Sequence, residues 1–281
     1  MPQFEHSGLS FYYVEVGSGM PFIFLHGLGG SIEQIVKIYS PLQGIRMITF
    51  DQRAHGKTPM GEKSHLGFKT FANDVLALYD HLHLEYGIIG GISMGAGVAL
   101  KFALTYPDKV VALILSRPAW LDKPMEQKNK AIYNCIKELI EKHGTQTGRE
   151  LFLVSDVYKD LYKTSPGNAR SFLVHFDYEH AAVTAAKYQV LPEDTPTYSR
   201  DEWKKIKVPT LVLANHSDHV HPYEYGLEYA SLIGLAALKE ITSKTVNEMQ
   251  HNKDVQQNID TFIKSVLNKT ENGTKHNSKT Y

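Results

Sequence analysis

The stretch Gly90-Gly91-Ile92-Ser93-Met94-Gly95-Ala96-Gly97 decides how the rest of the chain is read. Residues 86–90 before it are apolar and branched, with the length of a buried strand, and residues 98–106 after it are apolar at helical spacing. Ser93 therefore falls between strand and helix in the pattern G-x-S-x-G, where a sharp turn lifts the serine hydroxyl above the sheet. Gly91 and Gly95 permit that turn, because a Cβ at either position would meet neighbouring backbone. The following helix aims its free N–H groups and dipole at the serine, which favours the negative charge of an acyl-transfer intermediate. Glycine-rich turns of this kind also arise for packing alone, so a nucleophilic reading needs partners elsewhere in the chain.

Working outward, residues 9–16 and 21–25 read as two strands joined at Gly17-Ser18-Gly19, and residues 45–50 and 110–115 as further buried strands. Ser31 is placed to cap a helix beginning at Ile32, and residues 68–84 have helical periodicity. Strands alternate with helices, and the strands lack polar alternation, as in a mostly parallel sheet covered by helices on both faces. The fold class is α/β. From 119 to 206 the rhythm stops, and amphipathic helical stretches such as 125–143 and 149–163 take over. This predicts a helical insertion at 119–206 in a core formed by 1–118 and 207–268. The alternation resumes with a strand at 208–214, a helix at 223–233, a strand at 236–241 and a closing helix at 252–267. The polar residues 269–281 read as a disordered tail.

Composition narrows the function. Of 281 residues, 42% are hydrophobic and 21% charged, and 30 basic side chains balance 30 acidic ones, so nothing favours nucleic acid or an anionic membrane surface. A small molecule is the expected partner. Cys135 is the single cysteine, which fits a reducing compartment, and neither a signal peptide nor a membrane-length apolar run is present, so a cytoplasmic location is expected. Oligomeric state leaves no trace in the sequence.

A serine needs a base within hydrogen-bond reach and an acid to orient that base, here expected in chain order serine, acid, histidine from loops at the carboxyl ends of later strands. Asp218 follows the strand at 208–214, and His251 precedes the last helix. Alone, each reads as a turn or helix-flanking residue; together with Ser93 they read as a triad. The oxyanion donors are the N–H of Met94, beside the nucleophile, and that of Leu28 in His26-Gly27-Leu28. His26 itself reads as a packed, hydrogen-bonded residue.

Five motifs in order, His26-Gly27-Leu28-Gly29-Gly30, Asp51-Gln52-Arg53-Ala54-His55-Gly56, Gly91-Ile92-Ser93-Met94-Gly95, the Asp218 loop ending in Pro222, and His251, resemble the α/β-hydrolase family. More narrowly they are similar to small esterases, lactonases and carbon–carbon bond hydrolases with a helical cap. The resemblance implies that Ser93 is the nucleophile, His251 the general base and acid, Asp218 its orienting carboxylate, and Leu28 and Met94 the oxyanion donors, with Asp51 and Arg53 bracing nearby loops. It departs from the family in two places. Gln250 stands where glycine commonly precedes the catalytic histidine, and the second motif carries His55, expected at the rim and facing solvent.

His216, His219 and His221 are closely spaced, but one short loop would aim their rings differently, so no metal is expected. His219 and Trp120 are the candidates for substrate contact, and Met94, Phe152, Tyr158, Phe172 and Phe176 could line an apolar pocket or simply fill the core. The expected reaction is hydrolysis of a carboxylic ester or lactone through an acyl-enzyme, without a cofactor. The alternatives are cleavage of a carbon–carbon bond beside a ketone by the same triad, and a receptor-like ligand-binding protein on the same scaffold.

Overall fold

In the computed structural model, which describes residues 1–178 and 180–277 and side chains as far as residue 268, eight strands form one sheet. They are β1 (Gln3–His6), β2 (Leu9–Gly17), β3 (Met20–Leu25), β4 (Ile45–Phe50), β5 (Gly87–Ile92), β6 (Val110–Ser116), β7 (Thr210–Ala214) and β8 (Ala236–Glu240). Their spatial order is β1-β2-β4-β3-β5-β6-β7-β8. β1 and β2 pair antiparallel, as do β2 and β4, and every later pairing is parallel. The central strand β5 is buried at all six positions, which explains its unbroken apolar run.

The core helices are α1 (Ile32–Ile38), α2 (Phe68–His81) and α3 (Met94–Thr105). Between β6 and β7 the chain leaves the sheet through α4 (Gln127–Val154), α5 (Asp156–Thr164), α6 (Pro166–Leu173), α7 (Ala181–Thr184) and α8 (Lys187–Glu193). It returns to the sheet and closes with α9 (Tyr223–Leu232) and α10 (Glu248–Asn277). Within α4 the chain kinks at Gly144, whose φ of 74° only glycine adopts without strain. The return is pinned by Trp203, whose indole donates to Thr197 Oγ1 at 3.0 Å and stacks on Tyr229 at 4.1 Å. Apolar side chains pack on both faces of the sheet. One cluster joins α2, α3 and the inserted helices, and the other joins α1 and α10. Among the described residues no helix is long and apolar enough to cross a membrane.

Three local expectations are revised. Ser31 stands at the N-cap of α1 as expected, but its side chain accepts no cap hydrogen bond; the carboxylate of Asp51 instead takes the N–H of Ile32 at 2.8 Å and that of Lys57 at 2.9 Å, tying two loops together. The last helix begins at Glu248, four residues before the predicted start, so His251 lies inside it. Its backbone also stays helical to Asn277 where an irregular tail is predicted from 269, since no proline interrupts the ladder; 278–281 lie outside the described residues.

Candidate active site

Ser93 sits at the hinge between β5 and α3 with φ 57° and ψ −112°, a conformation that a non-glycine residue holds only under constraint from its surroundings. The constraint is steric and local. A Cβ on Gly91 would lie 2.1 Å from the carbonyl carbon of Gly95, and one on Gly95 would lie 2.3 Å from the Leu25 oxygen, so both positions are closed to any side chain. The N–H of Ser93 is held by the Ser116 carbonyl of β6 at 2.9 Å.

Asp218 and Ser93 are joined through His221. Ser217, with φ 58°, turns the chain after β7 so that one oxygen of Asp218 accepts from the N–H groups of Val220 at 3.2 Å and His221 at 3.0 Å. This tight turn sets the side chains of 218 and 221 on the same side. His221 Nδ1 lies 2.9 Å from that same carboxylate oxygen, and His221 Nε2 lies 2.9 Å from Ser93 Oγ. Both contacts fit the neutral tautomer protonated on Nδ1, which donates to Asp218 and leaves Nε2 to accept the serine proton. Burial lowers the His221 pKa against the opposing pull of Asp218, keeping the ring neutral. Burial pushes the Asp218 carboxyl up, but His221 and then Arg117 outweigh it and hold it well below the usual carboxylate range.

His251, the predicted base, does not contact Ser93. It is fully buried, its Nδ1–H donates to the Thr242 carbonyl at 2.7 Å, and its Nε2 has no partner among the described residues. Burial, followed by the charge of Arg117, drives its pKa down to about 3. The physical reason is the early start of α10, which makes residue 251 part of a helical turn tied to the loop after β8. The turn itself is closed by a bond from His251 N to Asn247 O. The missing glycine before His251 was the signal in the sequence, and the pairing of His221 with Asp218 three residues earlier was the one that could have located the base.

The two candidate oxyanion donors both lie close to Ser93. Leu28 lines the cavity above Ser93, Met94 is the first residue of α3, and neither N–H donates to another group among the described residues. Gly27 holds that loop against the nucleophile; a Cβ there would lie 3.3 Å from Ser93 Cβ, and its N–H is fixed by Gln34 Oε1 at 2.8 Å. His26 is buried and neutral. Its Nδ1 lies 2.9 Å from the Gly27 carbonyl, its Nε2 accepts from Gln52 N at 3.0 Å, and burial lowers its pKa to about 4.

The two predicted substrate contacts are corrected. Trp120 is 2% exposed, packs edge-on against Phe68 at 5.1 Å and does not line the cavity. His219 does not line it either; its backbone N–H donates to Asn168 Oδ1 of α6, and the turn that aims His221 inward sends the ring two positions earlier elsewhere. Of the candidate aromatics, Phe172 lines the cavity, and Phe152 and Phe176 pack against each other in the core. His55, expected at the rim, is 2% exposed and bonded to the Arg53 carbonyl at 2.7 Å. His216 stacks on Tyr223 at 4.0 Å, and no group of three or more metal-ligating side chains occurs among the described residues.

Comparison with known proteins matches residues 20–251 to the α/β-hydrolase fold family. The chain is an α/β hydrolase. The hydrolase is 27% identical over 235 residues to the AB hydrolase superfamily protein YisY of Bacillus subtilis (strain 168), covering 80% of this chain and 83% of that one. Its fold is similar to that of a thermophilic esterase from Thermogutta terrifontis, with a TM-score of 0.70 at 22% identity, covering 94% and 97% of the two chains. It is also similar to that of the enol-lactonase from Burkholderia xenovorans LB400, with a TM-score of 0.63 at 21% identity, covering 95% and 98%.

The cavity over Ser93 measures about 70 Å³. Gln34, Ser171, Val174 and Lys244 line both this cavity and a groove of about 580 Å³ between the inserted helices and the core. Residues that sequence reasoning missed complete its walls. Arg117, which follows β6 with φ 46°, and Lys244, in the loop after β8, both face the cavity.

Proposed function

We propose that this hydrolase cleaves a carboxylic ester or lactone of a small molecule through an acyl-enzyme on Ser93. The observation that carries the reading is the hydrogen-bonded chain Asp218–His221–Ser93, with both contacts at 2.9 Å. His221 Nε2 takes the Ser93 proton as Oγ attacks the carbonyl, and the imidazolium is stabilised by Asp218. The N–H groups of Leu28 and Met94 receive the oxyanion. His221 then gives its proton to the leaving alcohol, and a water deprotonated by the same nitrogen releases the acid.

The inner cavity of about 70 Å³ is small beside the groove of about 580 Å³. A short acyl group therefore fits beside Ser93, and longer parts of the substrate extend into the groove. The free thiol of Cys135 is partly buried and far in sequence from these groups, in keeping with a cytoplasmic protein.

The test is reaction with a fluorophosphonate followed by peptide mass mapping, together with hydrolysis of p-nitrophenyl acetate. Labelling on Ser93 and loss of both signals in Ser93→Ala are expected. Unchanged hydrolysis by Ser93→Ala would remove the proposal.

A further inference from the structure

Two cations wall the cavity of Ser93, and no carboxylate lines it. Arg117 spends little of its guanidinium: one N–H reaches the second oxygen of Asp218 at a long 3.4 Å, Nε is buried without a partner, and no other acceptor meets it among the described residues. Lys244 lies 3.8 Å from Glu248, a mostly exposed side chain, and has no closer acceptor among the described residues. Asp218 cannot satisfy both cations, because its nearer oxygen already holds His221 and two backbone N–H groups. Buried or half-buried cations with unspent donors are costly unless an anion joins them. The terminal nitrogens of an arginine present the paired donors that a carboxylate accepts.

We infer that Arg117 and Lys244 form an anion site beside the nucleophile, and that the substrate is an ester bearing its own carboxylate a few bonds from the scissile carbonyl. Lys244 is shared between the inner cavity and the outer groove, so the carboxylate seats where the two meet while the reacting carbonyl lies against Ser93. This rests on the reading of Ser93 as the nucleophile for the reaction, but the anion site itself does not depend on it. Lys244 is partly desolvated, and burial followed by the charge of Arg117 lowers its pKa to about 8, so a bound carboxylate relieves a repulsion already present.

The experiment uses pairs matched in chain length, monomethyl succinate with methyl butyrate and monomethyl glutarate with methyl pentanoate. Binding to the Ser93→Ala protein, measured by calorimetry, reads the anion site without turnover, and kcat/KM on the wild type reads its effect on the reaction. The half-esters are expected to bind roughly tenfold to a hundredfold more tightly than their neutral partners, the range of one or two charge-assisted hydrogen bonds. Lys244→Met is expected to collapse the ratio, and Lys244→Arg to restore most of it. Equal binding of charged and neutral members, or a preference that survives Lys244→Met unchanged, would overturn the inference. A wild-type hydrolysis rate that persists in Ser93→Ala, with half-ester preference intact in binding, would instead overturn the nucleophile and leave the anion site standing.

Discussion

Replacing His221 separates the two candidate bases most sharply. In His221→Ala, Ser93 loses its hydrogen-bonded base at 2.9 Å, and Asp218 loses its imidazole partner. General acid–base catalysis contributes typically 10²–10⁴-fold, and in this geometry one ring serves both the attack and the protonation of the leaving group. The upper end is therefore expected, a fall of about 10⁴ in kcat/KM, or ~5.5 kcal/mol of barrier at about 1.4 kcal/mol per decade. His251→Ala makes the contrast. It leaves the chain from Asp218 to Ser93 untouched but strips the part-buried Thr242 carbonyl of its donor, at a cost of about 1–3 kcal/mol in stability. Steady-state hydrolysis of p-nitrophenyl acetate, with thermal melts of each variant, reads both effects. A melt lowered in His251→Ala with rates within tenfold of wild type, and a near-native melt with lost activity in His221→Ala, is the expected pattern. The reverse, activity surviving in His221→Ala and abolished at unchanged stability in His251→Ala, would refute the reasoning.

The pH profile follows from the same site. His221 acts as a base only when neutral, and burial sets its pKa below 6.5, so kcat/KM on a neutral ester should hold at pH 7 and fall only in acid; a limb centred at 7 or above would contradict this. For a half-ester the preference should decline as pH rises through about 8, where Lys244, flanked by Arg117, Glu248 and Asp218, loses its proton. In the loop after β4, Arg53 forms a bidentate pair with Asp74 of α2 at 2.8 Å, both side chains 1% exposed, so Asp74→Ala should cost about 3–5 kcal/mol in urea unfolding by stranding the guanidinium. Lys187 is fully buried on α8 and donates to the Ala54 carbonyl, and burial lowers its pKa to about 7. Between there and its unfolded value the unfolded chain binds more protons, so stability should climb with pH across that window by at most about 1.4 kcal/mol per unit. Lys187→Met should flatten the slope, and an unaltered slope in that variant would assign it to another group.

Much of the fold was legible in the sequence because its signals are local. The unbroken apolar run ending at Ile92 marks a central parallel strand, the glycines at 91 and 95 mark the tight turn, and the break in alternation marks the helical insertion between β6 and β7. Asp218 was visible for the same reason, since a turn at the carboxyl end of a strand places a side chain over the sheet edge whatever lies around it. The N-terminal strand β1 was missed because four residues are too few to show a period.

What only the tertiary structure decided is which of 14 histidines meets the serine. That choice rests on two events that sequence spacing does not encode. One is a left-handed residue at Ser217 that folds His221 back onto its own aspartate, and the other is a helix that starts early enough to carry His251 away. Arg117 and Lys244 were hidden likewise, being separated by 127 positions and brought to one wall only because β6 and β8 end on the same side of the sheet. Local steric rules fix a turn from its own residues, whereas a site assembled from the loops after β3, β5, β6, β7 and β8 depends on the register of the strands that carry them.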